Sequence, residues 1–277
     1  MTHEDPPADA PLPTTPTDPE SFSYAILTGK VGIMRMGRRV FRALPTDPRC
    51  KLCASPFRGP FVPLMRAMGK GRWPKNPKYC EMCFKSMLEH RDGAEVECSL
   101  LFADVRGSTT MAETMRPTDF NAAMDRFFAV ATKVLVDHDA IVDKFVGDEV
   151  MAIFIPALTG ELHARRAIDA GLAMLTALRG GGPTTLPVGA GVNTGIAYVG
   201  TVGSGDNVEL TAMGDPVNVT ARLASAAGAG ELLVSAAAAA SAHLADTAAM
   251  EHRSLALKGK SVATEVVVLQ AGYPPPT

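Results

Sequence analysis

The sequence predicts an α+β fold on an antiparallel or mixed sheet, and three observations carry that expectation. Apolar runs of strand length recur beyond residue 96, helical stretches separate some of them, and several runs meet in hairpins rather than alternating regularly with helices. A chain of 277 residues with 47% apolar content can fill one core and still carry a small satellite module.

The elements follow in order. Residues 1–20, "MTHEDPPADAPLPTTPTDPE", hold six prolines and almost no apolar side chains. Such a stretch cannot bury enough surface to offset its ordering entropy, so a disordered tail is expected. It lacks the basic and apolar regions of a secretory signal, and no stretch is apolar over the length a bilayer requires. A protein without a transmembrane segment, in the cytoplasm, is therefore expected. "VGIMRMGRRVFRAL" reads as a basic amphipathic helix stopped by Pro45. Residues 21–92 form a basic segment with four cysteines, and "RDGAE" is a polar link.

The larger body is expected over 93–271, with a frayed end at 272–277. "VECSLLFADV" is strand-like, and the stretch from Pro117 to His138 has helical periodicity with proline at its start. "AIVDKFVGDEVMAIFI" predicts a hairpin turning at Gly147–Asp148. A helix closed by glycines follows, and "LPVGAGVNTGIAYVGTVG" predicts two strands around a turn at 193–195. Pro216 opens another helix, and "ELLVS", "HRSLALK" and "TEVVVLQ" are strand-like. The alanine-rich run at 235–243 suits a packed helix.

Charge divides the chain. Residues 21–90 carry 14 Lys/Arg against 3 Asp/Glu, near +11, whereas the remainder carries 13 against 26, near −13. Either the basic piece meets an anionic partner or one piece docks on the other. Arg58, Arg66, Lys70, Arg72, Lys75 and Lys78, with Phe57, Phe61 and Trp73, also permit nucleic-acid or acidic-lipid contact, though no recognition-helix signature accompanies them.

"CKLC" and "CEMC" place Cys50, Cys53, Cys80 and Cys83 in two knuckles. Each C-x₂-C turn points two thiolates at one ion, and two turns complete a tetrahedron. Structural Zn²⁺ is the leading expectation; an iron–sulfur cluster uses the same ligands, and disulfides suit a cytosolic chain less well. Cys98 reads as a small core residue. The module's expected role is structural or regulatory, the latter through metal loss, thiol oxidation or an unidentified partner.

Asp104 ends the first strand of the body and Asp148 sits in the hairpin turn. Two carboxylates with the backbone oxygen of Val105 make a hard-oxygen set of the kind that takes Mg²⁺ with nucleotide phosphates. Asn218 and Arg222, four apart on a helix, share a face and suit a ribose and a phosphate. The six histidines show no metal-ligand spacing and read as surface or packing residues.

The stretches "LLFADVRGST", "VDKFVGDEVMAIF", "GVNTGIAYVGTVG" and "TAMGDPVNVTARLAS" together resemble the catalytic domain of class III nucleotidyl cyclases. The resemblance implies a ferredoxin-like fold, a head-to-tail homodimer with sites between protomers, and two Mg²⁺ or Mn²⁺ ions per site. It also implies roles: Asp104 and Asp148 as metal ligands, Lys144 and Thr211 as readers of the base, Asn218 orienting the ribose, and Arg222 contacting phosphate in the transition state. Adenine offers an acceptor at N1 and a donor at N6, which suit a lysine and a threonine respectively; guanine reverses both. ATP is therefore the expected substrate, cyclic AMP and pyrophosphate the expected products. Two features depart from the family: Thr211, where many relatives have aspartate, and "DHDAIV", where relatives often have a glycine pair. The alternatives are a nucleotide-sensing or dimerising scaffold, and a metal-stapled nucleic-acid-binding module with an accessory cyclase domain.

Overall fold

The computed structural model describes residues 22–30, 40–41, 48–74, 77–89, 93–179, 186–204, 207–245, 247–256 and 263–272. The expected tail, all but Val40 and Phe41 of the expected basic helix, and residues 273–277 lie outside this set. The first elements given bounds are the short helices α1 (Phe22–Leu27), α2 (Val62–Ala67) and α3 (Glu81–Glu89). The body continues as β1 (Ala94–Val105), α4 (Ser108–Thr114), α5 (Pro117–Asp137), β2 (Ile141–Val146), β3 (Glu149–Phe154), α6 (Pro156–Thr159) and α7 (His163–Arg179). It ends with β4 (Val188–Ser204), β5 (Asn207–Met213), α8 (Asp215–Ala226), β6 (Glu231–Ser235), α9 (Ala236–Ser241), β7 (Glu251–Leu255) and β8 (Thr264–Gln270).

The strands form one sheet in the order β2-β3-β1-β4-β6-β8-β7, with β5 pairing on β4. The β4–β6 pair is parallel and the other pairs are antiparallel, so the sheet is mixed as expected. Strand β1 lies inside the sheet between β3 and β4 and is buried on both faces from Cys98 to Ala103, which is why that stretch is a near-continuous apolar run. Leu101, Ala103 and Val105 face a helical layer in which α5 presents Phe127, Ala131 and Leu135 and α7 presents Ala164, Ala167 and Ile168. Val96, Cys98, Leu100 and Phe102 face the other way.

That second face is covered by α1, by the cysteine module and by α8. Ile26, Leu27, Leu52, Tyr79 and Phe84 pack there with Val96, Leu100 and Ile153 in one apolar cluster. The module is thus part of the sheet's own core. Charge fastens it as well: Lys51 Nζ lies 3.3 Å from the Asp139 carboxylate, and Lys78 reaches Asp137 at 3.4 Å and Asp139 at 4.0 Å. Asp139 holds φ at +65° in the turn before β2, a conformation that glycine adopts more readily. The glycine-pair departure therefore falls at a turn whose carboxylate grips the module.

One expectation is overturned. Residues 188–204 form the single strand β4, not two strands around a turn at 193–195. Strand β4 pairs with β1 from Val188↔Val105 to Val199↔Ala94, and the turn-forming residue types serve packing instead. Thr194 meets Ser99 at 2.6 Å, Ser99 meets the His163 ring at 2.9 Å, and Asn193 donates to the Pro216 carbonyl at 3.3 Å. A Cβ on Gly191 would lie 2.6 Å from the Ala224 nitrogen, so glycine is needed where α8 crosses the strand.

Candidate active site

The two aspartates arrive at one end of the sheet, Asp104 near the end of β1 and Asp148 in the turn before the neighbouring β3. Asp104 is paired with Glu149 across the β1–β3 ladder, and the N–H of Val105 donates to the Asp148 carbonyl at 3.3 Å. Gly147 makes the turn at φ +63°. Both aspartates are half-buried, whereas Val105 is buried. The negative field is dense here: burial first, then Asp148, pushes the Glu149 carboxyl up to about 7, with Arg106 opposing. Arg106 pairs with the Asp104 carboxylate and donates to the Ser225 carbonyl at 2.6 Å, tying the end of α8 to this corner. Arg106 and Glu149 stand outside the residues the sequence points to; the charge two places after Asp104 is the local signal for the first.

Lys144 and Thr211 form a second group. The Thr211 hydroxyl is buried and donates to Asp143 Oδ2 at 2.5 Å, and Lys144 Nζ lies 3.8 Å from Asp143 Oδ1. Asp143 was not singled out from the sequence. On α8, Asn218 is exposed and Arg222 half-buried. Among the described residues, no hydrogen bond or ion pair joins the Asp104–Asp148 corner to Lys144, Thr211, Asn218 or Arg222.

The thiols differ. Cys50, Cys53, Cys80 and Cys83 are all buried, their sulfurs lie within 4.8 Å of one another, and none is in a disulfide. The backbone builds both knuckles. A bridge between Arg49 and Pro56 closes the first, with Ala54 at φ +61°, and a bridge between Arg72 and Cys80 leads into α3. The Cys80 N–H donates to Cys50 Sγ at 3.2 Å. Hydrogen bonds from neighbouring thiols, Cys50 first, pull Cys53 and Cys80 below the ordinary thiol range; Cys50 and Cys83 are pushed up. Cys98, apart from this cluster, is a buried core thiol pushed by burial to about 12. Among the described residues, no helix is long and apolar enough to cross a membrane.

Known proteins resemble this chain in sequence and in fold. The model of the adenylate and guanylate cyclase catalytic domain matches residues 92–270. An adenylate cyclase of Anabaena cylindrica is 34% identical over 131 residues, covering 45% of this chain and 26% of that protein. The chain thus spans about a quarter of that relative's length. Among solved structures, the guanylyl cyclase Cya2 superposes with a TM-score of 0.58 at 27% identity, over 66% of this chain and 96% of that one. The adenylyl cyclase CyaB from P. aeruginosa gives 0.57, also at 27% identity, over 64% and 96%.

Proposed function

The chain belongs to the adenylate and guanylate cyclase catalytic family, and on that premise we propose that it is an adenylate cyclase acting as a homodimer. The observation that carries the choice of ATP is the convergence of Lys144 and Thr211 on one spot where β2 and β5 meet. Lysine has only donors and serves N1 of adenine, while the threonine oxygen accepts from the N6 amine.

In the reaction the ribose 3′-oxygen attacks the α-phosphorus, its proton is lost, and the bond to the bridging oxygen breaks to release pyrophosphate. Asn218 orients the ribose, and Arg222 sets a positive charge against the oxygens that gain charge in the transition state, worth roughly a few kcal/mol. The crowding that raises Glu149, and the guanidinium already drawn to Asp104, support a corner built for cations. Asp104, Asp148 and the Val105 carbonyl would hold Mg²⁺ or Mn²⁺, two per site. When bound, these ions acidify the ribose hydroxyl and neutralise the triphosphate.

In this reading the site is shared across a dimer, as the family resemblance implies: the aspartates of one protomer act with Lys144, Thr211, Asn218 and Arg222 of its partner. Phe145, Val146, Ile196 and Met213 are exposed apolar side chains beside the second half-set, as a surface awaiting a twin requires.

The cysteines are read as a structural Zn²⁺ site. A tetrahedron with bonds of ~2.3 Å has edges of about 3.8 Å. Cys53 and Cys80 sulfurs stand 3.7 Å apart, and the whole set is too tight for the thiolates to straddle a four-iron cluster. Its role in this reading is to close the second face of the sheet.

The test is an assay of the purified protein with ATP and with GTP in Mn²⁺, beside Asp104→Ala and Arg222→Ala alone and mixed. Cyclic AMP from ATP, two inactive variants and partial recovery on mixing are expected. A wild type that makes no cyclic nucleotide, or prefers GTP, overturns the reading; absence of recovery overturns the shared site.

A further inference from the structure

We propose that Asp143 is a positioning residue that sets purine choice, fixing the Thr211 hydroxyl as an acceptor and Lys144 as its companion donor. The inference rests on the adenylate cyclase reading and deepens it.

Strand alternation would send the side chains of residues 143 and 144 to opposite faces. The β2–β3 register prevents this: Val142 pairs with Ala152 and Lys144 with Met151, so Asp143 is an extra residue in β2. Such a bulge re-aims a side chain, and here it brings Asp143 Oδ1 within 3.8 Å of Lys144 Nζ. The Asp143 side chain is 0% exposed, and its Oδ1 has no hydrogen-bond partner. Burying a carboxylate costs free energy that an apolar side chain in the same space would not. The Ala212 N–H on β5 also bonds this carboxylate and Glu209 lies near it, but the two side chains that it holds, one on its own strand and one on β5, are the two base-reading groups.

The consequence is a matter of protons. A hydroxyl has one hydrogen and two lone pairs. With its hydrogen committed to Asp143 Oδ2 at 2.5 Å, Thr211 has only lone pairs for a ligand. Those accept from the adenine amine and repel guanine O6. Without Asp143 the hydroxyl rotates, donates to O6 as readily, and loses its preference.

The experiment measures kcat/KM for ATP and for GTP, with Mn²⁺, in the 277-residue wild type, Asp143→Leu, Asp143→Ala, Thr211→Ser and Thr211→Val. Asp143→Leu fills the buried space without an acceptor should Asp143→Ala fail to fold. The ATP-to-GTP ratio is expected to fall about tenfold in both Asp143 variants, to hold in Thr211→Ser, and to fall no further when Asp143→Leu is added to Thr211→Val. A purely structural role would lower both substrates together and leave the ratio alone; that result, in folded Asp143→Leu, overturns the inference while the cyclase reading stands. If the wild type makes neither cyclic nucleotide, the cyclase reading fails by itself. Competition of ATP and GTP for a bound fluorescent nucleotide analogue then reads the same preference, and an equal preference in wild type and Asp143→Leu overturns the role of Asp143.

Discussion

In the proposed reading the four thiols and the two aspartates are both ligand sets, and they are built in opposite ways. The thiols are buried, lie within 4.8 Å of one another and are complete in one chain. The aspartates are half-buried at a strand end and a turn, open to solvent on one side. A set that closes around its ion leaves no position for a substrate and contributes to folding; a set left open at a rim serves chemistry. The contrast extends to their surroundings. The thiols sit in the apolar cluster under the sheet, whereas the aspartates share their corner with Glu149 and Arg106.

Breaking the open set is expected to give the largest effect on turnover and almost none on folding. Asp148→Ala should lower cyclic AMP formation about a thousandfold, the scale of losing charge stabilisation at a reacting phosphate. Its thermal midpoint should move by no more than about 2 °C, because the contact that Asp148 makes to Val105 is through its backbone. Side-by-side turnover and thermal melts check this. A large drop in midpoint would mean that the open corner is also structural.

Breaking the closed set should do the reverse. Cys53→Ala is expected to cost on the order of 4 kcal/mol in unfolding free energy, with loss of bound zinc, because metal binding at such a site is folding free energy. Activity per folded molecule should change far less than stability. Denaturant unfolding with metal content measured on the same samples decides it, and an inactive but fully stable Cys53→Ala would assign the module to regulation.

Much of both regions was legible in the sequence, for physical reasons that differ. The knuckles are local: two cysteines three apart dictate a turn, so Cys50, Cys53, Cys80 and Cys83 could be assigned together before their sulfurs were seen to meet. The hairpin at Gly147–Asp148 is equally local. What escaped was long-range. The "VNTG" residues look like a turn, yet ladder pairing with the whole of β1 overrides that preference and makes β4 continuous. The bulge at Asp143 leaves no mark in hydrophobic pattern, since a strand's period shows only which face is apolar. The docking of Lys51 and Lys78 on Asp139 was foreshadowed by the charge division, but its partners required the fold.

A smaller perturbation joins the two regions through α8, which carries Asn218 and Arg222 over the face that the module also covers. Gly191→Ala would drive a Cβ against the Ala224 nitrogen and the Leu223 side chain, and backbone cannot yield as a flexible side chain does. It should cost about 2 kcal/mol of stability and lower turnover further than stability alone explains, because the helix must lift. Melting and turnover measured together test this; unchanged turnover in the folded variant would mean that α8 need not sit so close.

The smallest effect belongs to the far edge of the sheet, where neither ligand set reaches. Glu231 on β6 accepts two bonds from the Arg253 guanidinium on β7, at 2.7 and 2.8 Å, and one from the Gly228 N–H at 2.8 Å. Arg253 first, with that N–H assisting against burial, holds the Glu231 carboxyl down at about 2, below its ordinary 4.5. The folded state favours the ionised form, so this contribution is present above the ordinary value and is lost as pH falls from about 4.5 through about 2. Arg253 reaches solvent, which screens the pair and limits it to about 1 kcal/mol. Over that window the wild type should lose this amount relative to Glu231→Gln. Acid also strips metal from thiolates, but that loss is common to both proteins and cancels in their difference. If the difference is instead flat across the window, the fork between β6 and β7 contributes nothing to holding that edge, and acid lability belongs to the cysteine cluster alone.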